Sequence, residues 1–275
     1  MGKLEGKVGL VTGAGRGIGR AIARKLAAEG ASIVVNDLDA EPATEVVDEI
    51  KAAGGHAVAV PGSVTEAGFG DRFVAAAVES FGGLDIIINN AGYTWDSVVQ
   101  KMSDEQWDAV LDLHLKAPFQ ILRAAQPVIS AAVKRETAQG RTVHRKVVNI
   151  SSVVGVRGNA GQANYAAAKG GLLSLTKTLA KEWGRYHVNV NCVAFGFVET
   201  RLMQANDGQA ATINVDGREL TVGIQRSALE MLPMIIPLGR AATPEEAAGG
   251  VAMLTYPEAD YVTGTLVHVD GGFGA

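Results

Sequence analysis

The chain has 275 residues, 47% of them hydrophobic, with 25 basic against 29 acidic side chains and a formal net charge of −4. That length suits one large α/β domain or two small ones with a sizeable core, and the acidic balance argues against a dedicated nucleic-acid binder. The single cysteine, Cys192, rules out an intrachain disulfide and suits a reducing interior better than a stapled secreted fold.

The opening, MGKLEGKVGLVTG, enters a strand pattern almost at once, without the layout of a signal peptide. The myristoylation pattern fails at position 6, and no apolar run approaches the roughly 18 residues of a membrane span. A soluble, cytoplasmic protein that uses no membrane is expected. Seven short apolar runs then read as strands: KVGLVT (7–12), SIVVND (32–37), HAVAVPG (56–62), LDIIINN (84–90), KVVNIS (146–151), VNVNCVA (188–194) and TLVHVD (265–270). They are nearly continuous rather than alternating, as parallel strands covered on both faces should be. Helical patterns lie near 17–29, 40–53, 66–81, 103–134 and 162–185. The alternation predicts an α/β fold, a doubly wound sheet in a single domain over 1–275.

Two stretches depart from it. Residues 134–146 read as a basic, polar connection whose Lys134, Arg135, Arg141, Arg145 and Lys146 are either solvated or a dock for an acidic carrier protein or a phosphopantetheine phosphate. Residues 201–240 read as an insertion, a substrate cover or an oligomer contact. Within it, Asp216-Gly217 between alternating runs predicts a hairpin with a type I′ turn.

The turn after the first strand, TGAGRGIG, spaces Gly13, Gly17 and Gly19 as GxxxGxG. Glycine lets such a turn adopt positive φ and bring backbone N–H groups close to a ligand, and the helix N-terminus favours a pyrophosphate. No Gly-Lys-Ser/Thr closes the loop, which excludes the triphosphate alternative. About 18 residues beyond Gly19, Asp37 ends the second strand. A carboxylate there accepts from ribose hydroxyls and repels a 2′-phosphate; its other reading is a helix N-cap, which Asp39 can also supply. Arg16 suits a 2′-phosphate and argues the other way. NAD is expected, with NADP as the alternative.

In GQANYAAAKGG, Tyr165 and Lys169 are an i, i+4 pair on one helical face. A phenol has a pKa of about 10, and a fixed cation beside it makes its proton more labile. The plainer reading is a surface helix with a solvated lysine. The five histidines, at 56, 114, 144, 187 and 268, show no metal-ligand spacing, and no metal is expected.

Taken in order, TGAGRGIG, NNAG (89–92), NISSVVG with YAAAK, and VDGG resemble the motifs of the short-chain dehydrogenases/reductases over about 1–200 and 237–275. GNAGQANYAAAKGG is especially similar to bacterial 3-oxoacyl-[acyl-carrier-protein] reductases. The resemblance implies a Rossmann fold of seven parallel strands in the order 3-2-1-4-5-6-7, an NAD(P) cofactor, and hydride transfer to or from a carbonyl or secondary alcohol carbon. It implies that Ser152, 13 residues before Tyr165, orients the substrate oxygen, with Ser151 its neighbour rather than its substitute. Tyr165 would be the proton donor; Lys169 would tune it and hold the nicotinamide ribose. Ile18 joins the glycine-rich turn among the implied cofactor contacts. Asn90, Ala91 and Gly92 would line the adenosine side, Ser63 and Val64 the adenine, and Val198 and Thr200 the nicotinamide amide.

Three positions depart from that family's pattern. His114 stands where asparagine usually holds a water of the proton relay; a histidine can donate and accept as well, so it is either a relay member or a buried ring satisfied by a carbonyl. Phe195 replaces a proline, and Ser63 an aspartate. The leading expectation is an NAD-dependent reductase of 3-oxoacyl thioesters, linked to a carrier protein or coenzyme A. The alternatives are a dehydrogenase of another secondary alcohol (steroid, sugar or cyclic alcohol) and a non-catalytic, cofactor-sensing protein. A homotetramer is also implied.

Overall fold

A computed structural model describes residues 2–203, 211–215, 218–223 and 226–274. In chain order the elements are β1 (Val8–Val11), α1 (Gly17–Ala28), β2 (Ser32–Val35), α2 (Ala40–Ala52), β3 (Ala57–Ala59), α3 (Phe69–Phe81) and β4 (Ile86–Asn89). Then come α4 (Asp104–Leu111), a π-turn (Asp112–Lys116), α5 (Ala117–Ala138), β5 (Arg145–Ser152), α6 (Val154–Arg157), α7 (Ala163–Trp183) and β6 (Val188–Phe195). The last are β7 (Ala211–Val215), β8 (Arg218–Val222), α8 (Arg226–Ile235), α9 (Pro244–Ala252) and β9 (Leu266–Val269).

Seven strands form one sheet in the order β3-β2-β1-β4-β5-β6-β9, all parallel. Numbered within the sheet this is the expected 3-2-1-4-5-6-7. The order reverses between β1 and β4, so a crevice opens at their carboxyl ends, the general ligand position of such sheets. Successive side chains of each strand serve opposite cores. Val11, Ile33, Ile86, Ile88 and Val148 pack with Ile22 and Leu26 of α1 and Val46 and Ile50 of α2. Leu10, Val34, Ile87 and Val147 pack with Phe69 and Phe73 of α3, Ile121 and Leu122 of α5, and Trp183 of α7. Burial on both faces is why these strands read as continuous apolar runs.

The structure corrects two of the expected elements. The helix expected over 103–134 is two helices joined by the π-turn Asp112–Lys116, and it runs on to Ala138. Pro118 has no N–H to give the carbonyl of His114, four residues back, and its ring crowds that carbonyl; an inserted π residue relieves the conflict. The expected polar connection at 134–146 therefore supplies the end of α5 and the start of β5. Arg145 and Lys146 are neither solvated nor a dock, each being 4% exposed. Arg145 pairs with Glu136 at 2.6 Å and Lys146 with Asp260 at 2.6 Å, at the amino end of β5, opposite the crevice. Finally, β7 and β8 do pair antiparallel, with Val215 opposite Arg218; Asp216-Gly217 and its turn type lie outside the described residues.

Candidate active site

The glycine-rich turn is closed around backbone. Gly13 and Gly17 have φ of 60° and 51°, which L side chains rarely adopt. A Cβ at Gly13 would meet Ala91 Cα at 2.8 Å, one at Gly15 would meet Asp37 Oδ2 at 2.7 Å, and one at Gly19 would run into the Gly13 carbonyl. Side chains from neighbouring strands fasten the turn. Asn90 Nδ2 donates to the carbonyls of Thr12 (2.9 Å) and Gly13 (3.1 Å), and the Gly13 N–H donates to Asn36 Oδ1 (3.3 Å). Thr12 Oγ1 accepts from the Asn90 and Ala91 N–H groups at 2.9 and 3.0 Å. Asn90 is thus a brace whose amide is engaged by the turn rather than facing the crevice. Thr12 and Asn36, absent from the expected set, are braces too; nothing in their spacing marks them.

Asp37 sits at the carboxyl end of β2, its Oδ2 accepting the Gly15 N–H at 2.9 Å. Arg16 lies 2.8 Å from Asp39 and 3.7 Å from Asp37. Asp39 does occupy the α2 N-cap, yet its side chain makes no capping bond. Ser63 shares a hydrogen bond with Thr65 (2.7 Å), Val64 is buried, and Ile18 packs against the first core. Thr200 lies against the turn, its Cγ2 3.3 Å from where a Gly17 Cβ would stand; Val198 is buried beside it and bridges to Ala242. A cradle of this shape and donor set fits a dinucleotide pyrophosphate at the start of α1.

At the carboxyl ends of β5 and β6 the second half of the site assembles. Ser152, the last residue of β5, accepts from the Val154 N–H at 3.1 Å. Its hydroxyl is hydrogen-bonded to the Tyr165 phenol, a contact that favours the phenolate, but burial outweighs it and pushes the phenol up to about 12. Lys169 Nζ donates to the Ile150 carbonyl at 2.7 Å and stands 5.6 Å from the centre of the Tyr165 ring; burial lowers the ammonium to about 8. The expected depression of Tyr165 by Lys169 is therefore not what this site shows: both groups are driven toward neutrality by desolvation. Ser151 is spent structurally, donating to the Lys169 carbonyl at 2.9 Å.

His114 stands on the π-turn and is 2% exposed. Its Nε2 is 2.7 Å from the Tyr93 carbonyl, while Nδ1 has no hydrogen-bond partner. A carbonyl only accepts, so Nε2 carries the proton and Nδ1 is the acceptor. The ring meets Tyr165 edge to face, centroids 5.0 Å apart at 87°, and occupies the space a side chain at Gly92 would need. Burial first, then the Lys169 charge, hold it well below the ordinary histidine range, a neutral imidazole. Phe195, where a proline was expected, is simply core. Among the described residues no cluster of three His, Cys, Asp or Glu side chains could hold a metal, and no helix is long and apolar enough to cross a membrane.

Over the crevice, Leu232 and Ile236 form a small third core with Phe197 and Phe273. A cleft of about 620 Å³ lies between Thr200, Met203 and α8.

The short chain dehydrogenase family pattern matches residues 7–211. Over 98% of both chains, the sequence is 36% identical to the 3-oxoacyl-[acyl-carrier-protein] reductase FabG of Thermotoga maritima. It is 40% identical to the short-chain reductase protein NovJ of Streptomyces niveus, over 96% of this chain and 93% of that one. A solved double mutant of a Serratia marcescens short-chain dehydrogenase/reductase superposes with a TM-score of 0.82 at 30% identity, covering 99% of this chain and all of the other.

Proposed function

The chain belongs to the short-chain dehydrogenase/reductase family of NAD(P)-dependent oxidoreductases, and from that premise we propose that it reduces the 3-oxo group of an acyl thioester, carrier-protein- or coenzyme A-linked, with NADH. The carrying observation is a neutral, desolvated phenol hydrogen-bonded to a serine at the carboxyl end of the sheet, beside a lysine whose ammonium is acidic. The bound nicotinamide supplies the hydride. Gly13, Gly17, Ile18 and Gly19 hold the pyrophosphate side, Ala91 and Gly92 the adenosine, Ser63 and Val64 the adenine, and Val198 and Thr200 the amide.

Negative charge builds on the substrate oxygen as the carbonyl is reduced, so the site needs a proton and oriented donors. Ser152 donates to that oxygen and Tyr165 gives it the proton. Lys169, lowered to about 8, loses a proton far more readily than a phenol and restores the one Tyr165 has given. His114 Nδ1, an unsatisfied buried acceptor, holds a water that feeds Lys169. Asp37 favours NAD because its carboxylate opposes a 2′-phosphate, while Arg16, the group that would welcome one, is already paired to Asp39. Arg201, Met203 and α8, which line the cleft, cover the substrate. Support for the thioester comes from the names of near-full-length relatives; the likeness to NovJ favours a second reading, a reductase of another ketone. We place the enzyme in the cytoplasm, where the buried free thiol of Cys192 stays reduced, and infer a homotetramer.

Initial rates with acetoacetyl-coenzyme A and either NADH or NADPH test the reading, with Tyr165→Phe as the blank. NADH-preferring turnover that falls at least about 100-fold in the variant is expected. NADPH preference overturns the Asp37 argument; cofactor binding without turnover of the thioester overturns the substrate.

A further inference from the structure

Tyr165 stands at the third position of α7, where a helix N–H finds no partner within the helix. The residue before the helix, Gln162, gives that first turn no side-chain bond. The regular ladder begins with the Ala166 N–H, which donates to the Gln162 carbonyl at 2.8 Å. Tyr165 is met instead by its neighbour: Asn164 Oδ1 accepts the Tyr165 N–H at 2.8 Å. The other end of the same amide reaches out of the helix. Asn164 Nδ2 donates to the Trp95 carbonyl at 3.1 Å and to the carbonyl of Gln106, in the first turn of α4, at 3.0 Å. A backbone N–H only donates and a carbonyl only accepts, so the three partners fix which way the amide faces. Asn164 is fully buried, where an unmet polar atom is costly, and its donors and its acceptor are all used.

The Tyr165 ring is located from the same direction. His114, on the π-turn that continues α4, meets it edge to face with centroids 5.0 Å apart. Backbone and ring of Tyr165 are thus both set by α4 and its π-turn, the backbone through the amide of Asn164. That amide is not what holds the two segments together. The Ser97 N–H donates to the Gly161 carbonyl at 2.8 Å, and Gln162 Nε2 donates to Asp96 Oδ2 at 2.8 Å, beside it. What Asn164 alone does, among the bonds of this junction, is engage Tyr165 itself.

We propose that Asn164 is a positioning residue for the reduction, its amide setting where the Tyr165 phenol stands relative to Ser152 and the substrate oxygen. The proposal rests on the reading of Tyr165 as the proton donor. A misplacement of about 1 Å costs about 100-fold in rate. The loss therefore falls on the chemical step and spares cofactor binding, which is built on the glycine-rich turn after β1.

Asn164→Ser tests this, because serine keeps an acceptor near the Tyr165 N–H and removes both donors without burying a charge. With acetoacetyl-coenzyme A and NADH, kcat should fall at least about tenfold, while the thioester KM and the NADH dissociation constant stay within about twofold. Gln162→Ala is the control. It deletes the bonds to Asp96 and Asn159 in the same junction, none of which reaches Tyr165, and should leave kcat unchanged. An unaltered kcat in Asn164→Ser, or a loss shared equally by Gln162→Ala or by NADH affinity, overturns the proposal. Fluorine NMR of protein carrying fluorotyrosine reads the same position without turnover, the Tyr165 signal being the one absent from Tyr165→Phe. That signal should shift or broaden in Asn164→Ser and stay in place in Gln162→Ala. If the wild type leaves the thioester unreduced, the reductase reading has failed on its own, and an unmoved Tyr165 signal then overturns the positioning role separately. Asn164→Asp, of the same shape, carries the same expectations should the serine variant not fold; failure of both to fold makes Asn164 a structural residue and overturns the proposal.

Discussion

At the scale of single residues the site is governed by desolvation. The i, i+4 spacing of Tyr165 and Lys169 correctly places both groups on one face, but spacing carries no information about how much water is left around them. Burial lowers Lys169 from 10.5 to about 8, so in the folded state it binds its proton more weakly than in the unfolded chain. Below about pH 8 the charged ammonium costs the fold roughly 3 kcal/mol, and stability rises as pH climbs from about 8 toward 10.5, where only the unfolded state still holds the proton. Lys169→Met removes that cost and forfeits the bond to the Ile150 carbonyl, worth about 1 kcal/mol. Urea unfolding at pH 7 should therefore show the variant more stable by about 2 kcal/mol, although inactive, with the gain shrinking between pH 8 and 10.5. Equal stability at pH 7 would mean that the ammonium is better solvated than its 4% exposure indicates.

At the scale of elements, what could be read was whatever repeats. All seven sheet strands fell on continuous apolar runs, and the glycine-rich turn was found from its spacing. The break in the fourth helical pattern was missed because apolar periodicity passes through Asp112–Lys116 unaltered; only Pro118, four residues after His114, signals it. Arg145 and Lys146 are buried although their run reads as solvated, because a run of charges does not reveal which ones meet carboxylates from other elements, Glu136 in the preceding helix and Asp260 more than a hundred residues later. The braces Thr12, Asn36 and Asn90 are likewise tertiary facts. The turn they hold makes a sharp prediction. A methyl at Gly19 would strike the Gly13 carbonyl and lie 2.6 Å from Asn90 Nδ2, and neither can retreat without opening the brace. Gly19→Ala should weaken NADH binding at least tenfold, read by nucleotide fluorescence, at a stability cost of about 1–3 kcal/mol. Gly83→Ala, whose methyl meets nothing within 4 Å, is the control that should leave both unchanged.

At the scale of the molecule, the two faces of the sheet are filled, but apolar side chains stay exposed on α8 beside the cleft (Met231, Met234 and Ile235) and, among the described residues, on two flanks away from it. One lies along α4 and α5 and the short turn before them, where Val99 is 71% exposed, Phe119 46%, and Val98 and Trp107 are exposed as well. The other lies around the outer edge of β9, the last strand in the sheet order, with Met253, Tyr261 and Val262 exposed. An unpaired edge strand and exposed apolar side chains are each costly to leave in water. Two separate patches, each covered by its own copy about a two-fold axis, close into a dihedral tetramer rather than a fibre. Light scattering should accordingly give four chains of 28.6 kDa, about 114 kDa. Phe119→Glu, which buries a charge in one patch and spares the other, should give a dimer that still binds NADH, because Phe119 is far in the chain from the glycine-rich turn and faces away from the sheet. A wild-type monomer would sink the assembly outright; a tetramer indifferent to the substitution would move the first interface off the α4–α5 flank.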